Sequence, residues 1–241
     1  MKLMKKKFPL VKGNIIRKGI IKICIILSLC LSQCTPSKEE CESYISRGHR
    51  ITPETEKVFF CEMKDRNYVE AVKYLLTLEV SNIGIVSSTQ FSDQEVDFFI
   101  ENNILISKAN IKNTNRGDID VIPVNEYTIE SIRFTLAGDN NFVKKFVSLI
   151  PSSENKMIDF TKPIVFSQPA ELIANYPVEL IKQAKDSSLL RIFKNKPILL
   201  SSTSEVLNVY DTPFNCLEFS PLNKAELTFN AIYSFCNDES D

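Results

Sequence analysis

The first 33 residues limit what this chain can fold into more than any other feature does. Lys2, Lys5, Lys6, Lys7, Lys12, Arg17, Lys18 and Lys22 all precede Leu31, and the first acidic residue is Glu39. The basic stretch leads into an apolar tract at residues 23–32, and polar, Pro-bearing sequence comes next at Thr35-Pro36-Ser37. A basic head, an apolar core and a small polar end are the grammar of a secretory signal. The apolar core is about ten residues long, whereas a permanent bilayer span needs roughly 20. The expectation is therefore a signal that is cut off, with the fold built from the remaining residues: 1–33 signal, 34–40 tether, 41–77 helical unit, 78–241 β-rich domain.

Leu31-Ser32-Gln33-Cys34 resembles the bacterial lipoprotein box, in which an apolar residue and two small ones precede a cysteine that is diacylated and becomes the new N-terminus. Gln33, standing where Gly, Ala or Ser is usual, is similar to the relaxed boxes of spirochaete lipoproteins. The resemblance covers the signal segment alone. It implies lipidation at Cys34 and a bacterial envelope location, on the inner or outer membrane and facing the periplasm or exterior. The membrane is then a partner through the acyl chains. Each buried CH₂ contributes about 0.8 kcal/mol, so two chains hold where one is marginal.

Removing residues 1–33 takes eight of the 29 Lys+Arg and none of the 30 Asp+Glu, leaving a net charge of −9. So acidic a body repels phosphate backbones and offers no basic stripe, which argues against nucleic acid as a partner. Cys41, Cys61, Cys216 and Cys236 remain as an even set, and outside the cytoplasm they are disulfide candidates. Four cysteines allow three pairings. Pairing nearest neighbours, Cys41 with Cys61 and Cys216 with Cys236, assumes least about long-range packing. No C-x-x-C spacing suggests a metal or redox site, so no metal is expected at them.

Residues 39–47 are helix-compatible, and Thr52-Pro53-Glu54 has the form of an N-cap followed by Pro and an acid, opening a second helix that ends at Met63 or, through Asp65-Arg66-Asn67, at Leu76. From Leu78 the pattern turns β-rich. Ser92-Asp93-Gln94-Glu95 is a capping box for a short helix, and strands are expected at 104–112, 119–124, 127–136 and 162–167. Short helices are expected after Pro169 and Pro177, with apolar runs at 189–193 and 197–200. Leu227, Phe229, Ala231, Tyr233 and Phe235 alternate with polar residues, the period of a half-buried strand. The expected fold class is α+β: an N-terminal helical hairpin followed by a mostly antiparallel β domain with a few short helices.

Catalytic signatures are absent: the sequence holds no G-x-S-x-G, G-x-x-x-x-G-K-[ST], G-x-G-x-x-G or H-E-x-x-H. The sole histidine, His49, follows Gly48 in an expected turn and has no motif companion. Asp93, Glu95 and Asp97 lack the Gly and terminal Glu of an EF-hand loop, and as first-turn acids they suit a helix dipole. Arg116-Gly117-Asp118 stands in an Asn-rich stretch and resembles the integrin-binding loop of matrix proteins, although such turns use Gly for positive φ without any adhesive role. No cofactor and no catalytic residue are assigned. These features point to a non-enzymatic, lipid-anchored envelope protein that binds an envelope protein or external ligand, or that is structural. The contrasting possibility is a membrane-tethered hydrolase whose site gathers dispersed carboxylates.

Overall fold

The computed structural model describes residues 36–45, 57–107, 121–122, 127–130, 132–138, 141–150, 158–184 and 190–236. Contacts divide the chain at residue 37, and the folded unit of interest is Lys38–Asp241. Its strands are β1 (Phe59–Met63), β2 (Ile83–Val86), β3 (Leu105–Ser107), β4 (Val121–Ile122), β5 (Tyr127–Glu130), β6 (Arg133–Leu136), β7 (Ile198–Ser202), β8 (Val209–Tyr210) and β9 (Leu222–Asn223). Its α-helices are α1 (Lys38–Ser43), α2 (Tyr68–Thr77), α3 (Asp93–Glu101), α4 (Phe142–Ser148), α5 (Val178–Gln183) and α6 (Lys224–Cys236).

Five strands form one sheet in the order β1-β7-β2-β3-β4, and every pairing in it is parallel. Antiparallel pairing is confined, among the described residues, to the two-stranded ribbons β5-β6 and β8-β9. The expectation of a helical hairpin and a mostly antiparallel β domain is thus overturned. The runs Ile83–Val86 and Ile198–Ser202 are buried at every position. Strands covered on both faces read as continuous apolar stretches, as they do in parallel sheets, and lack the wet face of an antiparallel one.

Both faces of the sheet are covered. Phe59, Cys61, Met63, Ile83, Ile85, Ile106, Ile198 and Leu200 pack with residues of α2, α3 and α5. Phe60, Val86, Leu105 and Leu199 pack on the opposite side with α4 and α6. On that side the ring carbons of Phe146 and Phe142 lie 2.7 and 2.8 Å from where a Cβ on Gly84 would sit. Only glycine lets α4 approach the sheet so closely.

Two segments differ in type from the expectation. Phe59–Met63, expected to close a helix, is edge strand β1, paired with β7 from Phe59↔Ile198 to Met63↔Ser202. Residues 226–235, expected as a half-buried strand, lie within Lys224–Cys236, the longest described helix. α6 is buried almost all round, so its apolar residues mark no stripe; its polar Thr228 and Asn230 are also inside. Thr228 Oγ1 donates to Lys224 O at 2.7 Å. Asn230 Oδ1 accepts from Ser167 N and Gln168 N, each at 3.0 Å, so a buried polar position is satisfied by a neighbouring loop. Other expectations hold locally. Ser92 and Glu95 cap α3 reciprocally, and helices follow Pro169 and Pro177. At 162–167 the pairing is a single bridge, Ile45↔Phe166.

The disulfide joins Cys41 to Cys216, not to Cys61. Cys61 is buried against the α2 and α3 side of the sheet, while Cys236 packs on the α6 side. The sheet separates those two thiols, and the chain between Cys216 and Cys236 forms β9 and helix α6. Burial, opposed by the nearby Lys57 charge, pushes the Cys236 thiol up to about 12. The disulfide closes a loop across 175 residues. In the chain-entropy picture that contributes about 5 kcal/mol.

Candidate functional site

Connections leaving adjacent strands of a parallel sheet toward opposite faces open a crevice at the carboxyl ends, where ligands of such folds bind. That arrangement occurs here at β7. β1 and β2 lead into α2 and α3 on one face, while the chain after β7 leads through β8 and β9 to α6 on the other. A cleft of about 320 Å³ lies at this point, with Glu62, Ser201, Thr203, Glu205, Val206 and Asn223 in its walls.

Glu205, just past the end of β7, is 8% exposed. Its Oε1 accepts from Tyr68 Oη at 2.9 Å, Ser87 Oγ at 2.7 Å and Thr89 Oγ1 at 2.6 Å. Its Oε2 accepts from Ser87 Oγ at 2.9 Å, Ser88 N at 2.5 Å and Ser88 Oγ at 3.1 Å. Burial pushes this carboxyl up, but the hydrogen bonds from Thr89, Ser87, Ser88 and Tyr68 outweigh it and hold the group below the usual carboxylate range. Tyr68 bears the complementary cost: burial and then the Glu205 charge push its phenol up. The donors come from the turn after β2 and the start of α2, so one carboxylate ties together the carboxyl ends of β1, β2 and β7. Ser202 Oγ, donating to Asp65 O at 2.5 Å, and Arg66 Nη2, donating to Ser204 O at 3.1 Å, complete the lacing.

Glu62, on β1, faces the other way along the sheet. Burial and then the Glu226 charge push its carboxyl up, with a hydrogen bond from Asn175 Nδ2 to Oε2 opposing them. Glu226, in the first turn of α6, is itself raised by burial and by Glu171, against a hydrogen bond from Asn223 N at 2.7 Å. The wall carrying Glu62 therefore crowds carboxylates together, whereas the wall carrying Glu205 saturates a single one with donors. Asn223 Oδ1 accepts from Ala225 N at 2.8 Å and Glu226 N at 3.0 Å, which fixes the side chain at the α6 N-terminus.

Sequence reasoning assigned none of these residues. A signal was present: Val86 is followed by Ser87-Ser88-Thr89, and Leu200 by Ser201-Ser202-Thr203-Ser204-Glu205. Two apolar strands each ending in Ser-Ser-Thr mark the polar rim of one parallel sheet. Of the candidates that the sequence offered, Asp93, Glu95 and Asp97 lie on α3, where Glu95 Oε2 accepts from Ser92 N at 2.8 Å and serves the cap. Cys34, His49, Arg116, Gly117 and Asp118 lie outside the described residues. Among the described residues no three His, Cys, Asp or Glu side chains are grouped to hold a metal ion, and no helix is long and apolar enough to cross a membrane.

Compared with known proteins, the chain matches no family model, no curated protein and no solved structure.

Proposed function

We propose that this protein is a lipid-anchored envelope protein that binds a small polar solute in the cleft beyond the carboxyl ends of β1 and β7. The observation that carries this reading is the placement of that cleft where chain connections part to opposite faces of a parallel sheet. Its size lies at the small end of ligand sites. The anchor is the part proposed from the resemblance of Leu31-Ser32-Gln33-Cys34 to a lipoprotein box. A thermal-shift screen of small solutes on the full chain tests the cleft: hits are expected, and Thr203→Trp, which fills it, abolishes them. Hits that survive in a folded Thr203→Trp chain locate binding elsewhere. The anchor is tested separately, since palmitate incorporation should depend on Cys34 and disappear in Cys34→Ala.

A second reading has its own observation. Glu62 and Glu205 line one cleft with one carboxyl pushed up and the other held down. Such divergence suits a general acid beside an ionised partner, the arrangement of a carboxylate hydrolase. Turnover of chromogenic glycosides or esters that is lost in both Glu62→Gln and Glu205→Gln would favour it over binding alone.

A further inference from the structure

The walls of the cleft are one-sided in charge and in hydrogen-bonding character. Glu62 and Glu205 are the ionisable side chains lining it, and no Lys, Arg or His is among the lining residues. Glu205 contributes charge but little contact, because six hydrogen-bond contacts already occupy a carboxylate with roughly four acceptor sites. Glu62 differs: its hydrogen bond from Asn175 engages Oε2, and Oε1 keeps its lone pairs for a further donor. Thr203 Oγ1, also in the wall, donates to Met63 O at 3.3 Å, which leaves its oxygen to act as an acceptor. Val206, 90% exposed, and Leu207 supply an apolar flank. An anion entering here meets the charges of Glu62 and Glu205 with Glu226 behind them, whereas a cation relieves the crowding on the Glu62 wall.

We propose, resting on the reading of the cleft as a ligand site, that it selects a small organic cation. The ammonium group pairs with Glu62 Oε1, and the hydrocarbon part lies against Val206 and Leu207. The charge selection lies in the Glu62 wall, and the Glu205 wall holds the loops that shape the cleft.

Three probes of nearly one shape separate charge from fit: n-butylammonium, n-butanol and butyrate, each titrated by calorimetry into the full chain in detergent. Butylammonium is expected to bind about tenfold more tightly than butanol, the scale of one charge-assisted contact, and butyrate to bind least. Glu62→Gln should weaken butylammonium about tenfold and so remove that preference, and Glu62→Asp should keep it. Unfolding curves of both variants verify that they fold. Should butanol or butyrate match butylammonium, or folded Glu62→Gln keep the full preference, the cation inference is overturned while a ligand cleft survives. Should none of the three bind, the inference again falls, and the solute screen with Thr203→Trp then decides the wider reading.

Discussion

Glu62 on β1 and Glu205 just past the end of β7 line the same cleft, yet their surroundings treat negative charge in opposite ways. Around Glu205 the chain brings hydroxyls and a backbone N–H from the start of α2 and the turn after β2. Around Glu62 it brings Glu226, with Glu171 beyond it, and a single amide from Asn175. The first environment makes the charge part of the framework. The second holds a charge that the folded state tolerates only partly. A cleft with one rigidly satisfied wall and one electrostatically unsatisfied wall has its framework and its binding capacity on different strands.

The sharpest way to break this contrast is Glu205→Ala, which strands several buried donors at about 1–3 kcal/mol each. A loss of at least about 3 kcal/mol in urea unfolding is expected; a loss near zero would mean the hydroxyls re-pair without the carboxylate. Gly84→Ala provides a calibration away from both walls. Its added methyl meets the Phe142 and Phe146 rings and should cost about 1–3 kcal/mol, with no dependence on pH because no charge is involved. Ser87→Ala removes one hydroxyl donor shared between the two Glu205 oxygens and should cost about 1.5 kcal/mol. Glu62→Gln is the smallest effect and has the opposite sign: at neutral pH it should stabilise by about 0.5 kcal/mol, the size of one relieved like-charge contact.

The pH profiles separate the walls further. The Glu205 carboxyl is held below its ordinary value of 4.5, so the stability it contributes is present above that pH and lost as pH falls through its folded value. Glu62 is held above 4.5, so its contribution is fully present below that pH and is lost as pH rises through its folded value. In thermal unfolding from pH 3 to 8, the deficit of Glu205→Gln should therefore shrink toward acid, and the gain of Glu62→Gln should shrink there as well. A Glu205→Gln deficit that stays constant across this range would show that its charge is not part of the framework.

How far the fold is legible in the sequence depends on the range of the interactions. The Ser92–Glu95 cap spans four residues and is written wholly in local sequence, as is the Ile- and Val-rich run that forms β2. The identity of α6 depends on a tertiary fact. Alternating Leu227, Phe229, Ala231, Tyr233 and Phe235 signify a strand only if the residues between them face water, and here Thr228, Asn230 and Ile232 are buried too. β1 is obscured for the converse reason, because Glu62 breaks its apolar run at the position that faces the cleft. The site itself joins Tyr68, Ser87–Thr89 and Glu205 across separations of 116 to 137 residues. No spacing rule reaches so far, and the repeated Ser-Ser-Thr gains meaning only once both strands are known to end at one rim.

The bond between Cys41 and Cys216 also sets a load path. Tension between the start of the chain and its final helix would otherwise run through edge strand β1 and peel it from β7 one pair at a time. With the disulfide closed, that tension crosses from α1 directly into the turn ahead of α6, and the loop holding all five strands of the main sheet is bypassed. A domain tugged by its N-terminus thus keeps all five strands of its main sheet out of the path of the force.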